Sequence, residues 1–384
     1  MPTLDLIVGA RPNFMKIAPV IRAINTLNTK PGAGSIKTIK YRLVHTGQHY
    51  DPRMSGTFFK ELGIPEPDFN LNVGSGTQAE QTSGIMLGYE NLLLQEKPHL
   101  CIVVGDVTST MACAITAKKM LVKVAHIEGG IRSGDKTMPE EINRIVTDSI
   151  TDYFFTTSET ANENLRKNGV SDDRIFFVGN TMIDTLLFSR SRFRKPELWD
   201  TLKLAEKKYI VLTLHRPNNV DDAGNLRHLL NEIINSSDGL PVIFPVHPRT
   251  LKVIDSFSQS TPDSGLKNPD EGRLHLTDPL GYLEFNYLVE HAKAVITDSG
   301  GITEETTVMG VPCMTLRDST ERPETVTMGT NELLGTNPDA IAPAMQKLIS
   351  GNWKKGTIPP LWDGHTSERI VGIICKLTLN LHTK

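Results

Sequence analysis

From Leu4 to Leu316 the chain alternates short apolar runs with longer stretches whose apolar residues recur at helical spacing. The runs predict strands at Leu4–Val8, Ile39–Val44, Leu100–Gly105, Val122–Ile127, Tyr153–Thr157 and Ile175–Val178. In the second half they predict Tyr209–Leu214, Val242–Val246, Leu274–Leu276, Ala294–Thr297 and Pro312–Leu316. Runs such as CIVVG and YIVLTLH are mostly apolar rather than alternating, the pattern of parallel strands covered on both faces. Between the runs, Thr108–Met120, Glu140–Thr151 and Gly224–Ile234 carry helical periodicity. The rhythm is βαβ throughout and predicts a doubly wound α/β fold.

A chain of 384 residues exceeds one ordinary core, since domains run to ~100–200 residues, so two domains are expected. The rhythm pauses after FFVGNTMIDTLL, and Ser189 to Lys208 is rich in Arg and Lys with no clear strand. The division is therefore expected near Gly179–Asn180, giving domains 1–179 and 180–364, with a tail helix at 365–384 packing back on the first. Pro31–Gly34 and Ser256–Asp270 read as surface loops, and there is no short-period repeat.

Composition removes several function classes. A net charge of −3 without basic patches gives no signal for nucleic acid or an anionic membrane surface. Cys101, Cys113, Cys313 and Cys375 are widely spaced, which argues against a zinc site or disulfide framework and fits a reducing cytoplasm. MPTLDLIVGARP reads as a first strand and not as a signal peptide. No run approaches the ~18 apolar residues of a membrane span.

In an open parallel sheet ligands bind beyond the carboxyl ends of the strands, so the residues after each apolar run matter most. Those positions read GARPNFMK with Arg11 and Lys16, HTGQHYD, GDVTST with Asp106, and then Glu128. Further on they read His215-Arg216, His247, TDSGGITEE, and LRDSTERPE with Arg317, Arg322 and Glu324. The Ser299-Gly300-Gly301 turn lets backbone approach a ligand closely and offers first-turn N–H groups to an anion. Glu305, one turn on, suits a pair of ribose hydroxyls. The same stretch also reads as an ordinary turn capped by Ser299. GARPNFMK lacks the Walker A spacing and the chain has no G-x-G-x-x-G. Gly9 nevertheless permits a tight strand-to-helix turn, Pro12 suits a helix start, and Arg11 stands where an anion would dock. His215 and His247 end apolar strands beside Arg216 and Arg249, which suggests a diphosphate site, a core histidine being the other reading.

The acids read differently from one another. Asp106 either caps the following helix or faces a ligand. Glu128 runs into Gly129-Gly130 and caps no helix. Glu140 and Glu141 open a helix after Pro139, where acids favour the dipole, the preferred reading for Glu141. Arg144 is spaced to hold Glu140 by an i,i+4 pair. No His/Cys/Asp cluster has metal-ligand spacing and no Ser lies in a G-x-S-x-G elbow, so no metal or cofactor is expected.

Taken in order, GARPNFMKIAPV, VHTGQHYD, VVGDVTSTMA, HIEGGIRS, MPEEINRIVTD, VGNTMIDTLL, TLHRPNNVDD, FPVHPRT, DPLGYLEF and TDSGGITEETTVMGVPCMTLRDSTERPETV resemble the non-hydrolysing UDP-N-acetylglucosamine 2-epimerase family. The resemblance runs from Gly9 to about Gly335. It implies two Rossmann-like domains with a central cleft, the GT-B arrangement, and a homodimer. It implies reversible C2 epimerisation of UDP-N-acetylglucosamine to UDP-N-acetylmannosamine, by elimination of UDP to a 2-acetamidoglucal and its re-addition, supplying surface polysaccharide precursors. By motif match, Asp106, Glu128 and Glu140 are the catalytic acids, with Lys16 and His215 beside them. Arg11, His215, Ser299, Gly300, Gly301, Glu305 and Arg322 would hold UDP. Gln48, Arg216 and His247 match a second substrate-binding site of some bacterial members, with Asp51 where a second glutamine is often found. GARPNF also resembles relatives acting on diacetamido-uronic acid sugars, whereas TERPE and EETT favour the plain N-acetylglucosamine branch. A hydrolysing 2-epimerase, a GT-B glycosyltransferase and a non-catalytic nucleotide-sugar-binding regulator are the rival readings.

Overall fold

The computed structural model describes residues 2–29, 38–47, 61–260 and 273–381. They form two units, Met1–Phe188 with Pro360–Lys384, and Ser189–Pro359. Among the described residues the first unit has strands β1 (Thr3–Val8), β2 (Lys40–His45), β3 (Phe69–Asn70), β4 (Leu100–Val104), β5 (Val124–Ile127), β6 (Tyr153–Thr156) and β7 (Ile175–Phe177). They pair in the order β3-β2-β1-β4-β5-β6-β7. The second unit has β8 (Ile210–Thr213), β9 (Val242–Pro245), β10 (Leu274–Thr277), β11 (Ala294–Thr297), β12 (Cys313–Thr315) and β13 (Asn331–Leu333), in the order β10-β9-β8-β11-β12-β13. All pairs are parallel. Both sheets are doubly wound, and each reverses its strand order once, between β1 and β4 and between β8 and β11.

The unbroken apolar runs follow from burial on both faces. In β8, Ile210 and Leu212 join one core cluster while Val211 joins the other. Phe244 and Ile296 extend the first; Ile243 and Val295 extend the second. The helix Ala223–Ser236 covers the first face through Leu226, Leu229, Leu230 and Ile233, one stripe at i, i+3, i+4, i+7. Each such side chain contributes about 1.5–3 kcal/mol on full burial. Every expected strand is present with slightly shifted ends; β3 and β13 were not anticipated. Both are short edge strands, and neither carries a buried apolar run. The loop expected from Ser256 is a correction: the helix Pro248–Ser260 runs through that point on a continuing amphipathic pattern. The rest of that expected loop, and Pro31–Gly34, lie outside the described residues.

The first unit extends to Phe188 because the helix Thr181–Arg190 is tied into it. Thr185 donates to the Met15 carbonyl at 2.6 Å. Asp184 accepts from the Thr366 and Ser367 N–H groups at 3.1 and 2.7 Å, which fixes the start of the tail helix Thr366–Leu381. The buried Trp362 donates to the Thr157 carbonyl at 3.1 Å. Gly179, at φ 101°, lies where the returning chain crosses: a Cβ there would stand 2.1 Å from the Leu361 carbonyl oxygen. Among the described residues no helix is long and apolar enough to cross a membrane.

Asp5 is the exception inside β1. It is fully buried, and Arg42 on the neighbouring strand grips both of its oxygens, at 2.7 and 2.9 Å. The Tyr89 hydroxyl donates to the same carboxyl at 2.9 Å. Removing one partner of such a pair strands the other charge, so Asp5→Ala is expected to destabilise the first unit by about 3–5 kcal/mol. Replacing Asp5 and Arg42 together with apolar residues recovers most of that loss. Chemical denaturation of the variants checks both values.

Candidate active site

The candidate residues lie at the carboxyl ends of the strands and in the first turns of the helices that follow them. After β1, Asn13 accepts from the Gly9 and Ala10 N–H groups at 3.3 and 3.0 Å and donates to the Val104 carbonyl at 2.8 Å. This closes the β1 loop onto the end of β4. Arg11 opens the helix Arg11–Thr29, whose first turn holds no acid. A cation at a helix N-terminus opposes the dipole, so Arg11 is not there for helix stability. Lys16 reaches Glu128, its Nζ 2.5 Å from Oε2.

Glu128 follows β5 directly, is buried, and has φ 72°. Left-handed backbone costs a residue with a side chain about 1–3 kcal/mol and clusters at functional sites. Its N–H still bonds the Phe155 carbonyl at 2.9 Å, so the sheet register persists to this residue before the chain turns. Gly105, after β4, has φ 69°, and a Cβ there would come within 3.3 Å of Lys16 Nζ and 3.6 Å of Glu128 Oε2. A glycine therefore keeps the floor of this site open.

Asp106 does not cap the next helix: Val107 takes that position and makes no side-chain cap. The Asp106 carboxylate is held by Arg144, and its carbonyl accepts from Asn143 at 2.8 Å. The expected Glu140–Arg144 pair is corrected, because the Arg144 guanidinium lies between Asp106 and Glu141, 2.9 Å from the latter. Glu141 is also more than a dipole acid. It is buried and accepts from the Ser133 and Gly134 N–H groups at 2.9 and 3.1 Å, fixing the loop that follows Glu128. These bonds hold its carboxyl below the usual range against the opposing effect of burial. Glu140 is half-buried in the first turn of the helix Pro139–Ile150.

In the second unit the organising group is Asp298, which the sequence reading passed over although it directly follows β11. It is fully buried and accepts from the Arg216 N–H at 2.9 Å, from Asn219 at 3.0 Å and from His215 Nδ1 at 2.7 Å. Burial opposes its charge, but these donors win and lower its pKa. Asp298 thus fixes the proton of the exposed His215 ring on Nδ1 and leaves Nε2 for a ligand. Arg216 Nε donates to the Asp298 carbonyl at 3.1 Å.

Ser299 sits at the N-cap position of the helix Gly300–Met309, yet its hydroxyl makes no capping bond. Gly300 and Gly301 begin the helix, and Arg317, paired with Glu321 at 2.7 Å, lies beneath Gly300. Glu305 is buried and accepts from the Tyr282 hydroxyl at 2.8 Å. Burial pushes its carboxyl up to about 7, against the Tyr282 bond and helped by Glu304. Arg322 is buried against Glu304, and Glu324, also buried, is pushed up to about 7 by desolvation. His247 is exposed at the end of β9 and accepts from the Arg249 N–H at 3.3 Å. Gln48 and Asp51 lie outside the described residues.

The UDP-N-acetylglucosamine 2-epimerase family model matches residues 34–375. The chain belongs to the UDP-N-acetylglucosamine 2-epimerase family. It is 40% identical over 379 residues to the UDP-N-acetylglucosamine 2-epimerase of Methanocaldococcus jannaschii, covering 97% of this chain and 98% of that one. It is 39% identical over 378 residues to the UDP-2,3-diacetamido-2,3-dideoxy-D-glucuronate 2-epimerase of Pseudomonas aeruginosa, covering 97% and 99%. The crystal structure of the M. jannaschii epimerase in complex with UDP-GlcNAc and UDP superposes with a TM-score of 0.82 at 38% identity, over 97% of this chain and 99% of that one. The two parallel-sheet α/β units are thus the fold of this epimerase family.

Glu305 gives a pH test for this epimerase relative. Its folded pKa of about 7 lies above the ordinary glutamate value of 4.5, so native Glu305 keeps a proton that the unfolded chain releases. Its stabilising contribution is complete below about pH 4.5 and is lost as pH rises through about 7. Glu305→Gln cannot titrate, so the melting temperature of the variant relative to the parent is expected to rise across that interval. Thermal unfolding without nucleotide at pH 4.5, 6 and 8 checks the direction.

Proposed function

We propose that the protein interconverts UDP-N-acetylglucosamine and UDP-N-acetylmannosamine without net release of UDP. The observation that carries this reading is Glu128: a buried carboxylate in left-handed backbone at the end of β5, paired with Lys16 from the helix that follows β1. The C2 proton of an N-acetyl sugar is not acidic. Breaking the C1–O bond, with the electron pair leaving on UDP, develops positive charge beside C2 and makes that proton removable. A carboxylate takes it, giving a 2-acetamidoglucal. Protonation of C2 from the opposite face and attack of the UDP oxygen on C1 complete the epimerisation.

The reading assigns Asp106, Glu128 and Glu140 to the C2 proton and to the developing charge, with Lys16 holding Glu128 in place. It assigns Arg11, His215 and the Ser299–Gly301 helix start to the departing diphosphate, Glu305 to the ribose, and Arg322 to holding Glu304 beside it. A preorganised donor to a leaving anion supplies about 3–4 kcal/mol of barrier reduction. Gln48, Arg216 and His247 are assigned to a second nucleotide-sugar site. The proposal needs no cofactor.

Chromatography of nucleotide sugars tests the reaction: UDP-N-acetylmannosamine should accumulate to a fixed ratio with UDP-N-acetylglucosamine. Accumulation of free UDP and free N-acetylmannosamine would make the enzyme a hydrolysing one. The Pseudomonas relative supplies the second substrate to try; the reading expects turnover of UDP-2,3-diacetamido-2,3-dideoxy-D-glucuronate to be slower. Glu128→Gln is expected to lower kcat by about 10²–10⁴ while UDP affinity, measured by calorimetry, stays within twofold.

We also propose a homodimer built through the first unit. Its helices Gln78–Gln95 and Pro139–Ile150 expose Leu87 at 63%, Leu94 at 68% and Ile142 at 50%. Both helices pack on the helix Thr108–Lys119, and large apolar side chains left exposed there are an interface signature. Sedimentation should give a dimer for the parent and a monomer for Leu94→Glu/Ile142→Glu; a monomeric parent would refute the assignment.

A further inference from the structure

His126 is fully buried on β5, two residues before Glu128, and has no role in the reaction as proposed. Its Nε2 lies 2.8 Å from the Gly105 carbonyl oxygen, and its Nδ1 lies 2.7 Å from Asp148 Oδ1. Both neighbours are acceptors, so the ring makes both bonds only by donating from both nitrogens. Asp148, at 5% exposure, uses Oδ2 to accept from the Gly130 N–H at 3.0 Å and from Arg132 at 2.6 Å. Burial works against its charge, yet His126 and Arg132 together lower its pKa. Gly129 packs over the pair, since a Cβ there would stand 3.5 Å from both Asp148 Oδ1 and His126 Nδ1.

The chain positions of these contacts carry the argument. Gly105 immediately precedes Asp106. Gly130 and Arg132 belong to the turn that follows Glu128. Asp148 lies on the same helix as Glu140, Pro139–Ile150. One imidazole and one carboxylate therefore bond to all three segments that carry the proposed catalytic acids. A fully bonded buried network of this kind fixes relative positions more tightly than apolar packing does.

We propose that His126 and Asp148 act as a single positioning pair that sets Asp106, Glu128 and Glu140 against the sugar. This deepens the epimerase reading and rests on it. The pair touches no substrate. Displacing a catalytic group by about 1 Å can cost ~100-fold in rate, so His126→Gln and Asp148→Asn are each expected to lower kcat about 10- to 100-fold. KM should stay within about twofold, because the pair bonds to none of the residues assigned to the nucleotide, Arg11, His215, Ser299–Gly301 and Glu305. The double variant should be no slower than the worse single one, as for groups that act together.

Two measurements separate this from a fold defect and from failure of the epimerase reading. Nitrogen-15 NMR of histidine-labelled parent protein should show protons on both His126 ring nitrogens, whatever sugar the enzyme uses. Proton-to-deuterium exchange at C2 then reads kcat in the variants. A His126 ring with one bare nitrogen overturns the proposal, as do unchanged kcat in folded variants or rate losses that multiply. A parent inactive on UDP-N-acetylglucosamine defeats the epimerase reading and leaves the NMR result to decide the geometry.

Discussion

A parallel sheet can be followed along one edge only until the chain has to return and build the other. At that reversal the two adjacent loops diverge to opposite faces of the sheet and leave a notch that neither fills. Both sheets of this protein have that constraint, between β1 and β4 and between β8 and β11. The first notch is bordered by the start of the helix Arg11–Thr29, with Asn13 and Lys16, and by the Gly105–Asp106 turn; the second by His215-Arg216 and by Asp298 to Gly301. Strand order thus chooses where the chemistry sits before any side chain does.

What the side chains add is control of charge in places where charge is costly. Two exposed or half-exposed candidates have a buried partner that fixes them, Asp298 for His215 and Arg144 for Asp106, while buried Glu128 is paired with Lys16. Asp298 and Arg144 are buried and multiply bonded, so the groups they leave to meet a ligand are already oriented. Preorganisation of this sort is what an elimination through a charged transition state needs, because the protein then reorganises little as UDP departs. The left-handed Glu128 fits the same logic, with local backbone strain retained for the placement of one carboxylate.

The strands were legible because burial on both faces leaves an unbroken apolar run, and these runs recur between longer stretches of helical periodicity. β3 and β13 were not, because an edge strand of two or three residues has no buried run to show. Positions of candidate site residues were legible from their place after each run. Their partners were not: Asp298 and His215, or Asp148 and His126, meet only once the sheet is assembled. The sequence reading gave Arg144 the acid on its own helix face, Glu140; the fold gives it Glu141 and an acid from another loop, Asp106. The domain division shows the same gap. Gly179 looks like a hinge in one dimension, and in three it is the glycine against which the returning Leu361 carbonyl packs.

The central claim is that a proton is lost from C2 and returned to the other face. Proton NMR of UDP-N-acetylglucosamine with the enzyme in heavy water tests it most directly. The account predicts a growing UDP-linked N-acetylmannosamine signal that carries deuterium at C2. Epimerisation with the original C2 proton retained, or an unchanged spectrum from folded enzyme, would contradict it.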